Sequence, residues 1–331
     1  GDIYVSEGQR AYLKHTLMVV AKKEIEQGEI ITFDKVSYKR TSTSDGFMLT
    51  AFEKNLPLVS KTNLKVNQSI KPVDVEKPKI TIAVIARLKS TRLKKKALLP
   101  INGVESVKRC ILNCLSAQSV DEVVLATSNL QEDEPLAKLT FNQRVRVVTG
   151  DPDNVAHRIL TAIENTGTSV VIRVTGDSPA VSPEMIEYLI QQHLSSGTDC
   201  TLPNRNHAVG IGADVYSVTA LKKLVSLGNP LNYTEYLSFY FMNNPHLFNV
   251  NIVELPSVFQ FPQWRLTLDE PKDYEMFNQL YSGLGVGEEA VCFEDIRNYL
   301  LENPHIAEIN KRVALKWRDN EQIVDEINRF T

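Results

Sequence analysis

Cysteine is scarce in this chain, with four in 331 residues at positions 110, 114, 200 and 292. That number and scatter exclude a disulfide framework; Cys110 and Cys114, one turn apart in an apolar helical pattern, read as reduced packing thiols. No apolar run approaches the ~18–20 residues that span a bilayer, and no signal-peptide pattern is present, so a cytoplasmic protein with no membrane contact is expected. Charge of one sign is missing too. The 37 Lys and Arg against 40 Asp and Glu leave −3, which removes any global reason to expect a nucleic-acid partner. The six histidines (His15, His157, His193, His207, His246, His305) lack metal-ligand spacing. No Gly-x-Ser-x-Gly elbow or Cys–His pairing offers a covalent nucleophile. Neither Gly-x4-Gly-Lys-Ser/Thr nor Gly-x-Gly-x-x-Gly occurs, which disfavours a P-loop ATPase and a dinucleotide-binding dehydrogenase.

What is present has room for two domains, at 43% hydrophobic and 23% charged residues with no low-complexity tract. The first residue is Gly rather than Met, so the start reads as a cut or processed end. Residues 68–78 carry two prolines and alternating charge without helical period, and are expected to be an extended linker. Upstream, short apolar pieces between turn-formers predict a small β-rich module with little helix. Downstream, β-branched runs at 80–86, 122–126, 145–148 and 169–174 alternate with helical patterns at 106–117 and 154–165. That rhythm predicts an α/β fold with a mostly parallel, doubly wound sheet, whose ligands bind beyond the carboxyl ends of the strands. The expected domains are 1–75 and 79–331.

Directly after the first of these strands, six of the ten residues from Arg87 to Lys96 are basic. Such a cluster is ordinarily a solvated face, but a basic turn with hydroxyls at Ser90 and Thr91 at a strand end suits a polyphosphate. The fourth strand runs into Gly176-Asp177-Ser178-Pro179, and an alternating run far downstream ends in Asp269-Glu270-Pro271. An Asp in a turn is most often a cap. Two carboxylates at strand ends can instead share a hard cation such as Mg2+, with substrate phosphates completing its shell. Tyr233, Tyr236, Phe239, Tyr240 and Phe241 lie together on a helical stretch and read as packing or a dimer seam.

The stretch from Ile85 to Gly103 resembles the signature loop of sugar cytidylyltransferases of the spore-coat-polysaccharide type, relatives of the CMP-sialate and CMP-Kdo synthetases. The similarity continues in the same order through Val124–Ser128, Thr149–Val155, Arg173–Pro179 and Arg265–Tyr274, over roughly residues 79 to 310. The resemblance implies a nucleotide-diphospho-sugar transferase-like fold in which Arg87, Ser90, Arg92 and Lys96 meet the CTP phosphates and Ala86 belongs to the nucleotide site. It implies that Ala126, Thr127 and Ser128 border cytosine and ribose, and that Asp177 and Asp269 hold Mg2+. Arg173, Arg205 and Arg265 are candidate partners for the carboxylate of a small sugar acid. Lys89, Lys94 and Lys95 depart from the family pattern, standing where glycines and a proline are usual, and the segment 210–215 is altered as well. Residues 19–32 and 36–40 resemble a SAF (antifreeze-like) β-clip domain, the module at the C-terminus of sialic acid synthases. That likeness, with Gly1-Asp2 similar to the linker leaving the synthase barrel, implies a piece of a longer fusion. Arg40 is the nearest match to a substrate-reaching Arg, although Thr41-Ser42 follows it in place of Pro-Gly. Relatives are often homodimers.

The expected reaction is attack of a sugar hydroxyl on the α-phosphorus of CTP with loss of pyrophosphate. Positioning and charge neutralisation would carry most of the catalysis, through Arg87, Lys96, Asp177 and Asp269. Two alternatives differ in class. A glycosyltransferase would usually show an Asp-x-Asp pair, and only Asp151-Pro152-Asp153 offers one, inside a stretch the family pattern already accounts for. A weakened nucleotide-binding or scaffolding relic of a synthase fusion would show neither CTP binding nor pyrophosphate release.

Overall fold

The structure, a computed structural model, describes residues 6–9, 17–41, 45–90, 92–139, 141, 145–228, 231–315 and 319–331. Two compact units divide it: one reaches Pro78 and takes in Leu194–Gly197, the other comprises Lys79–His193 and Thr198–Thr331.

In the smaller unit β1 (Leu17–Ala21) pairs antiparallel with β3 (Val36–Arg40), while β2 (Ile30–Ile31), β4 (Leu58–Ser60) and β5 (Val75–Glu76) form a second antiparallel sheet. Their inward side chains close one core that includes Val19, Ile31, Phe47, Phe52, Leu58, Leu64 and Ile70. A helix, Leu49–Asn55, buries Phe52 edge-on to Phe47, in keeping with a β-rich module that has little helix. One expectation is corrected here: residues 68–78 are not an extended linker. Asn67 and Ile70 donate to the carbonyls of Ala21 and Val19, Ile70 is fully buried, and Val75–Glu76 is β5. The reason is that Ile70 and Val75 are core residues. Pro72 opens a 3-10 turn, where a missing N–H costs nothing.

The larger unit is built on seven strands: β6 (Ile80–Ile85), β9 (Glu122–Ser128), β10 (Val145–Gly150), β11 (Val170–Thr175), β12 (Cys200–Pro203), β13 (Asp214–Ser217) and β14 (Val250–Val253). A two-stranded hairpin, β7 (Pro100–Ile101) with β8 (Val104–Glu105), stands apart. The spatial order is β10-β9-β6-β11-β13-β12-β14, parallel except where β13 runs against β11 and β12. The central strands are buried almost throughout, as continuous Val/Ile/Leu runs require when helices cover both faces. Tyr240 and Phe241 pack with Tyr216 and Phe248 on one side of the sheet, and Phe239 meets Tyr236 edge-on. No described helix is long and apolar enough to cross a membrane.

From β6 the chain winds outward through β9 to β10, then returns to place β11 on the other side of β6. The order therefore reverses between β6 and β11, and the gap beyond their carboxyl ends is where a doubly wound sheet accepts a ligand. Register puts Thr175 opposite Ile85, so the loops opening at Ala86 and Gly176 leave the sheet side by side.

Candidate active site

The two loops touch at their roots. Gly176 donates its N–H to the Ile85 carbonyl at 2.8 Å. A Cβ on Gly176 would lie 2.8 Å from that of Ala86, so glycine is required by the close approach of the two backbones.

Asp177 follows at once, and the chain brings Asp269 beside it through main-chain bonds. Leu268 N–H donates to the Asp177 carbonyl at 2.8 Å, and Leu266 N–H to Val209 O at 2.6 Å. The strand-like run 264–268 is thus laced to both neighbours. Asp273 then fixes the turn. Its Oδ2 accepts the N–H groups of Asp269 and Glu270, both at 2.9 Å, in the first turn of the helix Pro271–Leu284.

Between the two carboxylates stands Lys96. Its Nζ donates to Asp177 Oδ2 at 2.5 Å and to Asp269 Oδ1 at 2.6 Å. Burial works to lower the lysine pKa, but the two carboxylates outweigh it and hold the ammonium above its usual value. Asp177 responds in the opposite sense. Burial favours its protonated form, yet the Lys96 charge and hydrogen bond, with that of Thr175, keep it below the usual carboxylate range. Arg92 completes the cluster, 3.0 Å from Glu270 and 3.4 Å from Asp269. Tyr236 stands close enough for Arg92 and Asp269 both to influence its hydroxyl.

Arg87 points another way. Its Nη1 donates to Pro152 O at 2.5 Å and lies 3.3 Å from Asp153, while Nε lies 3.6 Å from Asp133. Ser90 is half-buried and makes no hydrogen bond to a described residue; Thr91 lies outside the described residues. Ala126, Thr127 and Ser128 end β9 with buried side chains, so a base alongside them meets main chain rather than side chains. Lys89, Lys94 and Lys95 are exposed.

Two anticipated anion partners have other work. Arg173 is spent on Asp214 at 2.9 Å and on the Glu235 carbonyl. Arg265 makes a fork on buried Asp273 at 2.8 and 2.9 Å and reaches Asp269 at 3.3 Å, so it braces the turn that carries Asp269. Arg205 is exposed. Asp133 and Asp273 escaped the sequence reading. Both precede or open a helix beside a proline, and an Asp there reads as an ordinary cap.

The donor set suits a small hard cation. Two carboxylates already meet on one ammonium, all nearby acceptors are oxygen, and among the described residues no group of three or more acidic, His or Cys side chains forms a complete metal cage. Any further ligands would have to be water or substrate oxygens.

Comparison with known proteins shows the family and the fold. The cytidylyltransferase family profile matches residues 81–305. The spore coat polysaccharide biosynthesis protein SpsF of Bacillus subtilis is 33% identical over 235 residues, 69% of this chain and 96% of that protein. A 3-deoxy-manno-octulosonate cytidylyltransferase of Chlorobium phaeobacteroides is 32% identical over 123 residues, 37% of this chain and 49% of its own. The solved structure of a cytidylyltransferase from Leptospira borgpetersenii superposes with TM-score 0.63 at 22% identity, over 72% of this chain and 99% of that one, and shares the fold. With a basic loop and paired carboxylates at the switch point of a nucleotidyltransferase-like sheet, and a family match across most of the larger unit, the chain belongs to the cytidylyltransferases and is a nucleotidyltransferase.

Proposed function

We propose that the chain transfers CMP from CTP to the anomeric hydroxyl of a sialic-acid-like (nonulosonic or ulosonic) sugar acid. The hydroxyl oxygen forms a bond to the α-phosphorus as the bond from that phosphorus to the bridging oxygen breaks. Pyrophosphate leaves with the electron pair, and the hydroxyl proton passes to solvent. The observation that carries this reading is Lys96 held between Asp177 and Asp269 at the switch point.

Lys96 and Arg92 are cations already resting on carboxylates, and phosphate oxygens are a like-for-like replacement for those partners. In this reading they exchange to the triphosphate and stabilise the charge developing on the leaving group. Arg87 approaches from the β9 side, and Ser90 offers its hydroxyl. The main chain of Ala86 and of Ala126 to Ser128 borders the nucleoside. Mg2+ held by Asp177 and Asp269 would neutralise phosphate charge when bound. Arg173 and Arg265 support the site through their ion pairs, and an acceptor carboxylate would turn to Arg205 or to the exposed lysines of the loop. The role of the similar Bacillus protein in spore coat polysaccharide biosynthesis supports a product destined for polysaccharide. The smaller unit is read as a SAF module, and the whole as a homodimer and part of a sialic acid synthase fusion; a parent gene with no barrel upstream would sink the fusion.

The test is pyrophosphate release from CTP and Mg2+ across a panel of sialic-, legionaminic-, pseudaminic- and Kdo-type acids. One acid should support turnover, and Asp177→Asn should abolish it with the fold intact. Undiminished turnover in that variant would remove Asp177 from the mechanism.

A further inference from the structure

Asp133 is a fully buried carboxylate, five residues beyond the end of β9. It is positioned as the N-cap of the helix Glu134–Ala137 but makes no capping bond. Its oxygens go elsewhere. Oδ1 accepts the N–H of Leu88, the second residue of the basic loop's Arg87-Leu88 start, at 2.5 Å. Oδ2 accepts the hydroxyl of Ser128, the last residue of β9, and faces Arg87 Nε at 3.6 Å. One side chain thus joins the exit of the phosphate loop to the strand end expected to border the nucleoside.

Two further observations point to an anion here. Arg87 and Arg158 converge on a single carbonyl, Pro152 O, at 2.5 and 3.2 Å. Burial, with the nearby Arg87 charge, lowers Arg158 to about 10, while Asp133 opposes the shift. Arg87 therefore faces the buried carboxylate directly, while Arg158, held on the Asp151 and Pro152 carbonyls, feels only its charge. In addition, Arg87 Nε is buried with no hydrogen-bond partner, a donor that a slight closing toward Asp133 would satisfy. The outer partners of Arg87 are loosely held: Asp153 is 88% exposed and Glu132 52% exposed. Exposed pairs of this kind are cheaply exchanged, whereas the buried anchor is not.

We propose that Asp133 is a positioning residue for the nucleotide: it fixes the root of Arg87 and the first turn of the loop, leaving the tip of the guanidinium free to move from Pro152 and Asp153 to the triphosphate. This rests on the reading of the loop as a CTP site. Asp133 touches no substrate; it acts through Arg87.

The test is a double-mutant cycle of Asp133→Asn and Arg87→Met, read as KM for CTP and kcat in pyrophosphate release. Asp133→Asn should raise KM by about tenfold with a much smaller change in kcat, and should add nothing once Arg87 is Met. Additive effects, or a fall in kcat at unchanged KM, would overturn the proposal while leaving the CTP site standing. An Arg87→Met variant with wild-type KM would instead overturn the loop reading itself, and this proposal with it. If Asp133→Asn does not fold, Ser128→Ala loosens the same anchor, and its effect on KM should likewise vanish in the Arg87→Met background; persistence there would count against the anchor.

Discussion

Lys95 holds φ 52° and ψ 35°, left-handed geometry in which an L-residue carries a cost of roughly 1–2 kcal/mol. Its side chain is exposed, so the strain serves the turn that delivers Lys96 rather than a contact of its own. Left-handed geometry is where glycine fits without cost, in line with the glycine that the resemblance leads one to expect at this position. Lys95→Gly relieves the strain but gains unfolded-state freedom of about 0.5–1 kcal/mol. The stability change is therefore expected to lie between zero and about +1.5 kcal/mol by denaturant titration, with turnover retained. A loss of stability would mean that the Lys95 side chain has a compensating partner in solution. Legibility at this scale followed chemistry that shows in one dimension. Asp177 and Asp269 each end a strand-like run and could be picked out singly. Asp133 could not, because a carboxylate beside a proline turn looks like a cap and its partner Leu88 is both distant in sequence and a main-chain group. Arg173 and Arg265 looked available in sequence, since nothing in a linear pattern reveals that Asp214 and Asp273 are waiting for them.

Among the elements, β6 and β11 decide the site, because their adjacent ends set where both loops begin. Gly176→Ala would place a methyl 2.8 Å from the Ala86 Cβ and 3.2 Å from the Ile85 carbonyl. Forcing the strand ends apart should cost ~1–3 kcal/mol, seen as a lowered thermal midpoint, and should raise KM for CTP. Because the nearer clash is with a methyl, adding Ala86→Gly should recover most of both losses; no recovery would locate the crowding on the main chain instead. The strands themselves were legible, since buried parallel strands are continuous β-branched runs. The antiparallel insertion of β13 was not, as a four-residue strand carries no mark of its direction. Residues 68–78 were misread for a related reason: two prolines conceal that Ile70 and Val75 face inward, and only the fold reveals a core within their reach.

For the molecule as a whole, the pH dependence of stability has an identifiable buried source. His193 lies in the helix Pro183–Ser196 with Nδ1 2.9 Å from the Thr201 hydroxyl, and burial lowers its pKa from 6.5 to about 3. The unfolded chain therefore binds this proton where the folded chain does not. Stability falls as pH drops from 6.5 toward 3, by up to ~1.4 kcal/mol per pH unit from this group, and is unaffected by it above 6.5. Replacing His193 with Gln should flatten that limb in denaturant titrations between pH 6.5 and 4, whatever its effect at neutral pH. An unchanged slope would assign the acid sensitivity to other groups. The ion pair of Lys96 and Asp177 adds nothing across this interval until the lowest pH. Asp177, with its pKa depressed, loses its contribution only below the ordinary carboxylate range, and Lys96 loses its own only above the ordinary lysine value.

The ion pairs around Lys96 and Arg92 also bear on how turnover ends. Any pyrophosphate seated on these cations has Asp177, Asp269 and Glu270 as tethered rivals, present at an effective concentration far above that of free anions. On the proposed reading, the carboxylates that yield on entry are the same ones that compete for the cations at exit, so affinity surrendered to them would weaken product retention as much as substrate capture.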